Sequence, residues 1–249
     1  MIIIKNRREI DLMRKAGAVA AEALIRGGEE VKPGVSTKHI NDVVEKFIRS
    51  KNAFPSFLGY GGFPAAACIS INDEVIHGIP SDTRIVRDGD IVSIDVGVLL
   101  NGYHADTANT FPAGNVSEEA KKLIEVTRNS FWEGMKYASA GKRLGDIGHA
   151  ISDCAVKNGC SVVYEYVGHG VGTQLHEDPN VPNYGMQGKG RRLEENMTIA
   201  VEPMINLGVP DVKQLSDKWT VVTKDGKLSA HYENTIAITK DEPLILTSL

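Results

Sequence analysis

Two carboxylates stand out in the segment Ser93–Phe111, SIDVGVLLNGYHADTANTF. Asp95 interrupts a run of β-branched residues, and Asp106 follows 11 positions later. Asn101-Gly102 between two apolar, alternating runs is the signature of a two-residue type I′ hairpin. That turn fixes a register in which Leu100 faces Tyr103, Val98 faces Ala105 and Gly97 faces Asp106. Asp95 lies two residues from Gly97, so Asp95 and Asp106 point to one face. As diagonal neighbours their Cβ atoms stand roughly 7 Å apart, a spacing at which they can share one cation or flank a pair. Gly97 is expected to leave room beside Asp106. Leu99, His104 and Ala108 complete a small, mixed face that suits a site better than solvent. Two buried carboxylates repel, so they require a cation, a shared proton or exposure.

The second half of the chain supplies two further acids in strand-like settings. Glu202 ends the run MTIAVE and precedes Pro203. Glu233 lies in LSAHYENTIAIT, where alternation places His231, Thr235 and Ala237 on its face. Three histidines have glycine or turn neighbours: His77 in IHGIP, His169 in VGHGVGTQ and His176 in QLHEDP. His169, between two glycines, is expected to be placed by the backbone with space around it. A lone histidine is more often structural, but several beside four strand-borne acids point to chemistry. Four carboxylates and one imidazole form a mostly hard donor set, suited to Mn, Fe, Co or Zn. Two divalent ions neutralise four carboxylates, and such a pair can acidify a bridging water and stabilise a tetrahedral oxyanion.

Other motif chemistries fail on spacing. QLHEDP is not HExxH, because Asn180 stands where the second histidine belongs and Pro179 would break the helix. GHGVG and GYGGF lack the GK[ST] of a phosphate loop and the full GxGxxG spacing. No GxSxG elbow supports a serine nucleophile.

The elements that carry these residues repeat. A helical stretch at about 7–26 is followed by KPGVSTKHIND and a second helix ending near Lys51. A stretch that is helical from about Ser117, a good N-cap followed by Glu118 and Glu119, is followed by SAGKRLGDIGH and a helix ending near Asn158. Gly34 and Ile40 match Gly141 and Ile147 at an offset of 107, and the same offset carries Asp95 onto Glu202. Glu233 then corresponds to Asp106, with a connection 20 residues longer. Two such halves about a pseudo-two-fold would bring their acids to one axis, at a junction where pockets commonly form.

The 249 residues, with 42% hydrophobic and 24% charged, read as an ordinary globular chain. A net charge of −4 argues against a general nucleic-acid or membrane-surface binder. No run approaches the ~18 apolar residues of a membrane span, and MIIIKNRREID is too short in apolar residues for a signal peptide. The three cysteines, Cys68, Cys154 and Cys160, form no CxxC pair and suggest free thiols in a reducing cytoplasm.

Taken in order, CISINDEVIHGIP, DIVSIDVG, NGYHADTANTF, GHGVG, LHEDP and AVEP resemble the type I methionine aminopeptidases, in their short bacterial form, of the pita-bread metallopeptidase family. The resemblance spans essentially the whole chain. It implies an α+β, pita-bread fold, a pseudo-two-fold pair of helix–helix–strand halves around a central curved antiparallel sheet. It also implies a single catalytic domain over 1–249, with halves at about 1–112 and 113–249. The implied activity is removal of the initiator methionine from nascent proteins with a small second residue, through hydroxide activated by two divalent metal ions (Co, Mn, Fe or Zn). By position, Asp95 binds one ion, Asp106 and Glu233 bridge both, and His169 and Glu202 bind the other. Glu202 also shuttles the proton. His77 and His176 hold the scissile peptide, and Tyr60, Phe63, Cys68 and Trp219 form the methionine pocket.

The implied partners are nascent polypeptide N-termini, with the ribosome as a further candidate. The expected protein is a cytoplasmic monomer that binds neither nucleic acid nor membrane directly. Four positions depart from the family pattern: Phe57 and Leu175 replace Cys and Phe of some relatives, Gly97 a common Thr, and Asn234 a frequent His. A proline peptidase of the same fold and a non-catalytic binding module are the alternatives. The first usually carries an additional N-terminal domain, and the second would not keep all five metal-binding positions.

Overall fold

The computed structural model describes residues 1–249. In chain order the elements are α1 (Arg7–Glu29), α2 (Thr37–Ser50), β1 (Phe54–Pro55), β2 (Cys68–Ile71), β3 (Glu74–Ile76), β4 (Ile91–Leu100), β5 (Tyr103–Pro112), α3 (Glu118–Met135), α4 (Leu144–Lys157), β6 (Ser161–Val162), β7 (Gly168–Gly170), β8 (Glu177–Val181), β9 (Thr198–Val201), β10 (Met204–Asn206), β11 (Val212–Gln214), β12 (Val221–Thr223), β13 (Ser229–His231), β14 (Glu233–Ala237) and β15 (Leu244–Ile245).

The hairpin β4–β5 forms in the expected register. Leu100 pairs with Tyr103, Val98 with Ala105, Gly97 with Asp106 and Asp95 with Ala108. The turn residues Asn101 and Gly102 have φ of 53° and 83°, the positive values that a type I′ turn requires. The hairpin joins a nine-stranded antiparallel sheet whose main path runs β1-β4-β5-β14-β9-β7-β8.

Helix starts follow their caps. The Asn6 side chain accepts from the Glu9 N–H (3.0 Å) while Glu9 accepts from the Asn6 N–H (2.7 Å), a reciprocal capping box. Ser117 accepts from the Ala120 N–H at 3.1 Å. α1 continues through Gly27 and Gly28, beyond the end expected near Arg26. Tertiary packing explains the difference, because a Cβ on Gly27 would lie 2.9 Å from Val44 and one on Gly28 2.3 Å from the Phe111 ring. These glycines let the helix lie close on the sheet.

The offset of 107 extends to individual hydrogen bonds. α2 and α4 each span 14 residues and correspond end to end. Gly34 donates to the Val86 carbonyl and Gly141 to that of Leu193; Val86 donates to Val35 and Leu193 to Lys142. Gly34 and Gly141 have φ of 92° and 95°. Ile40 and Ile147 are both completely buried. One core packs α1 and α2 on β2 and β4, around Ile40, Ile69 and Ile94. A second packs α3 and α4 on β9 and β14, around Ile147, Ile199 and Ile236. The halves meet where β5 adjoins β14. There, hydroxyls reinforce a short ladder: Thr107 Oγ1 donates to the Glu233 carbonyl (2.8 Å), and Thr235 Oγ1 accepts from the Asp106 N–H (2.9 Å) and donates to its carbonyl (2.8 Å). The longer connection between Glu202 and Glu233 folds as β10 to β13, contributing to two three-stranded sheets. No helix is long and apolar enough to cross a membrane.

The glycines around His169 serve a purpose other than the one expected. A Cβ on Gly168 would stand 2.3 Å from the Ala200 carbonyl oxygen, and one on Gly170 2.2 Å from that of Asp178. They allow β9 and β8 to close tightly on β7. Gly170→Ala is therefore expected to destabilise the fold by about 1–3 kcal/mol. A lowered melting temperature of the chelator-treated protein checks this, and an unchanged one would refute it.

Candidate active site

Five neighbouring strands deliver one chemical group each. In sheet order these are Asp95 on β4, Asp106 on β5, Glu233 at the start of β14, Glu202 just past β9 and His169 on β7. Cys68 pairs with Asp95, Asp95 with Ala108 and Ala108 with Glu233, so one row across four strands carries two of the acids on the same face. Asn234 pairs with Val201, which brings Glu233 and Glu202 together at the ends of their strands. The His169 Nε2 atom lies 3.5 Å from Glu202 Oε1 and 3.9 Å from Asp106 Oδ2. Atoms of Asp106, His169 and Glu233 that could hold a metal fall within 4.8 Å of one another.

Asp106, Glu233 and His169 are buried, whereas Asp95 and Glu202 keep part of their surface open to a cavity. Burial raises the pKa of every carboxylate in the group. Asp106 is pushed up to about 7. Asp95, Glu202 and Glu233 rise well above the ordinary carboxylate range, through burial first and then the charge of Asp106. Asp95 Oδ1, Asp106 Oδ1 and Glu233 Oε1 are buried without any hydrogen-bond partner. Converging, unpartnered carboxylate oxygens are what a cation would satisfy, so these residues fit a metal centre. His169 Nδ1 donates to the Gly170 carbonyl at 2.9 Å, which turns the Nε2 lone pair toward the acids, as a metal-binding imidazole requires. Burial lowers its pKa to about 3, so the ring is neutral.

The cavity has a volume of about 690 Å³, and all eleven candidate residues line it. Phe57, Phe63, Cys68 and Leu175 form a buried apolar cluster, with Trp219 against it. The Phe63 and Trp219 rings meet edge to face, 5.1 Å apart. Tyr60 hydrogen-bonds His176 Nδ1 at 2.7 Å. The His176 ring lies 4.2 Å from that of His169. His77 has φ of 59°, a left-handed conformation that is strained for a residue other than glycine. This conformation directs its ring toward Tyr166 and Trp219. Burial lowers the His77 pKa to about 4.

Gly97 does not act as a gap beside Asp106. A Cβ there would lie 2.6 Å from the Phe57 ring and 2.9 Å from Ser56. Phe57 thus fills the space over Gly97, so the two positions form one packing unit. Leu99 and His104, on the same hairpin face, lie outside the cavity lining; the His104 imidazole hydrogen-bonds Ser56 instead, at 2.8 Å.

Sequence reasoning gave no role to three features of the site. Tyr166 lines the cavity with its ring 6.0 Å from that of His77, and no local pattern marks it. Lys5 reaches from the N-terminal segment to the neighbour of His176, donating to Glu177 Oε2 at 2.5 Å in a buried ion pair. His231 is buried with its Nε2 atom 3.9 Å from Glu202 Oε2. Its signal was the alternation that places it on the face of Glu233.

The profile of metallopeptidase family M24 matches residues 11–240. The chain belongs to metallopeptidase family M24. Within M24, a methionine aminopeptidase of Clostridium acetobutylicum is 53% identical over 247 residues, 99% of each chain. The crystal structure of a methionine aminopeptidase from Thermotoga maritima superposes with a TM-score of 0.98, at 42% identity and full coverage of both chains. A prolidase from Pyrococcus horikoshii shares the fold at a TM-score of 0.78 and 25% identity, and this chain covers 64% of it. The pita-bread architecture is therefore that of the M24 hydrolases, and membership brings with it the use of divalent metal.

The shifted groups dictate a pH response. Below about 6.5, the depressed histidines favour folding as pH rises while the elevated carboxylates oppose it. Above 6.5 the histidines are neutral in both states and only the carboxylates remain. Their pKa values are higher folded than unfolded, so the native state holds more protons and stability falls as pH rises. Chelator-treated protein is expected to lose melting temperature from pH 6.5 upward, and protein saturated with Mn or Co to lose much less. Calorimetry with and without metal checks this; parallel curves would contradict it.

Proposed function

We propose that this protein is a methionine aminopeptidase acting on the N-termini of nascent polypeptides with a small second residue. The observation that carries the reading is the junction of two unlike surfaces in one cavity. An apolar pocket containing a thiol and aromatic rings adjoins a largely buried group of four carboxylates and one imidazole. A flexible thioether packs well against such a lining. Burial raises the Cys68 thiol pKa, with Asp95 adding to it, so Cys68 stays protonated and presents an uncharged sulfur.

Two divalent ions, Co, Mn, Fe or Zn, would be held by Asp95, Asp106, His169, Glu202 and Glu233, with Asp106 and Glu233 shared between them. Bound there, they supply a water of lowered pKa and polarise the scissile carbonyl. Glu202 accepts the proton of the attacking water and returns it to the leaving amine. His176 Nδ1 accepts from the Tyr60 hydroxyl, which leaves Nε2–H to donate to the developing oxyanion. His77, neutral and turned inward, contacts the peptide nitrogen. The 249 residues form a single catalytic domain whose site needs both halves. A reducing cytoplasm agrees with the three free cysteines, a monomer suffices for a site whose groups all come from one chain, and the ribosome, where such N-termini emerge, is the natural further partner.

The direct test is hydrolysis of Met-Ala-Ser with added Mn or Co, compared with Xaa-Pro dipeptides. Methionine release from the first alone is expected. Turnover of Xaa-Pro alone would point to proline peptidase activity, and turnover of neither, with metal bound, to a binding module. The metal number is tested by Asp106→Ala. Equilibrium dialysis should show loss of two-ion binding and turnover should fall at least 100-fold; retained activity would remove Asp106 from the bridging position.

A further inference from the structure

His231 is a buried imidazole that the reaction outlined above leaves unused. It is 2% exposed, and its Nε2 atom is buried without a hydrogen-bond partner. Such a nitrogen is costly to leave unsatisfied. The acidic atom it faces is Glu202 Oε2, at 3.9 Å, while Oε1 of the same carboxylate faces His169.

The main chain delivers this ring rigidly. β10 and β13 pair with Met204 opposite His231, and Met204 lies two residues beyond Glu202. The Tyr232 N–H donates to the Pro203 carbonyl (3.2 Å) across the kink that carries Glu202. Thr110 Oγ1 brackets His231, accepting from its N–H and donating to its carbonyl, both at 2.9 Å. The strand bearing His231 is thereby fixed both to the Glu202 kink and to the hairpin that carries Asp95 and Asp106. A carboxylate that moves protons needs one oxygen held while the other works, and neighbours in this position commonly set both its orientation and metal affinity.

We propose that His231 is a positioning residue: when the centre is loaded with metal, its Nε2–H closes the 3.9 Å separation and donates to Glu202 Oε2, fixing the rotamer that presents Oε1 to the metal centre. The proposal rests on the role given above to Glu202. Glutamine carries a donor nitrogen the same number of bonds from Cβ as the Nε2 atom of histidine, whereas phenylalanine keeps the ring and lacks the donor.

The experiment compares H231Q and H231F by steady-state kinetics on Met-Ala-Ser, by Mn(II) titration calorimetry and by melting of the metal-free protein. H231F is expected to lower kcat by about 10- to 100-fold, with KM within about threefold, and to weaken Mn(II) binding by about 10-fold. H231Q should recover both to within about threefold. The melting temperature of metal-free H231F should not fall, because the buried unpartnered nitrogen is gone. In an E202Q background, H231F should change Mn(II) affinity less than twofold. Equal losses in H231F and H231Q, a full additional loss in E202Q, or unchanged kcat and Mn(II) affinity in H231F would overturn the proposal. If H231F does not fold, by circular dichroism, H231L replaces it with the same expectations. If E202Q alone turns over normally, the role of Glu202 as proton carrier falls, while the Mn(II) titrations still decide whether His231 holds its carboxylate.

Discussion

Burying like charges on one face of a continuous sheet is the constraint around which this structure is arranged. Two carboxylates whose Cβ atoms stand at the roughly 7 Å spacing of diagonal hairpin neighbours, with their oxygens closer still, repel by at least about 2 kcal/mol at an effective dielectric of about 20. Asp95, Asp106, Glu202 and Glu233 form several such pairs, and burial adds to the cost of ionising each. A flexible scaffold would relieve the repulsion by turning the side chains to water. Here their strands are neighbours in one ladder, so the acids remain together and the compensating charge must come to them.

Much of the surrounding architecture resists that relief. Thr107 and Thr235 tie β5 to β14 where the ladder is short, directly beneath two of the acids. Gly168 and Gly170 allow β7 to sit close between its neighbours, so His169 cannot retreat. The duplicated helix pairs seal the back of the sheet with separate cores, one under the half that bears Asp95 and Asp106 and one under the half that bears Glu202 and Glu233. The apolar pocket is built by different means, mostly from loops: Phe57, Phe63, Leu175 and Trp219 are not strand residues, whereas Cys68 lies on β2. The metal-binding candidates thus stand on or just past sheet strands, whereas the apolar lining can change with its loops without disturbing that ladder.

What could be read in the sequence was what local rules determine. The Asn101-Gly102 turn sets the register of the hairpin and therefore which acids share a face. The offset of 107 is visible because the same backbone turn, with a glycine at positive φ, occurs before both α2 and α4. The catalytic and binding candidates follow from ordered motifs and from the family resemblance those motifs carry, and they line one cavity. Features that depend on a distant segment were not legible. The continuation of α1 through two glycines depends on Val44 and Phe111, and the role of Gly97 on Phe57. Lys5 is one lysine among many until Glu177 is placed beside it, and His231 acquires significance only when β10 pairs with β13.

The sheet order also has a consequence for biosynthesis. Glu233 follows Asp95 by 138 residues, yet the two stand in one row across three adjacent strands. A chain made from its N-terminus presents the first pair of carboxylates long before the residues that complete the site. Until β14 inserts beside β5, the early hairpin has an open edge and an unbalanced pair of charges. The centre is assembled by contacts of high sequence separation, which form late in folding, so a chain still under synthesis carries no finished site with which to act on its neighbours.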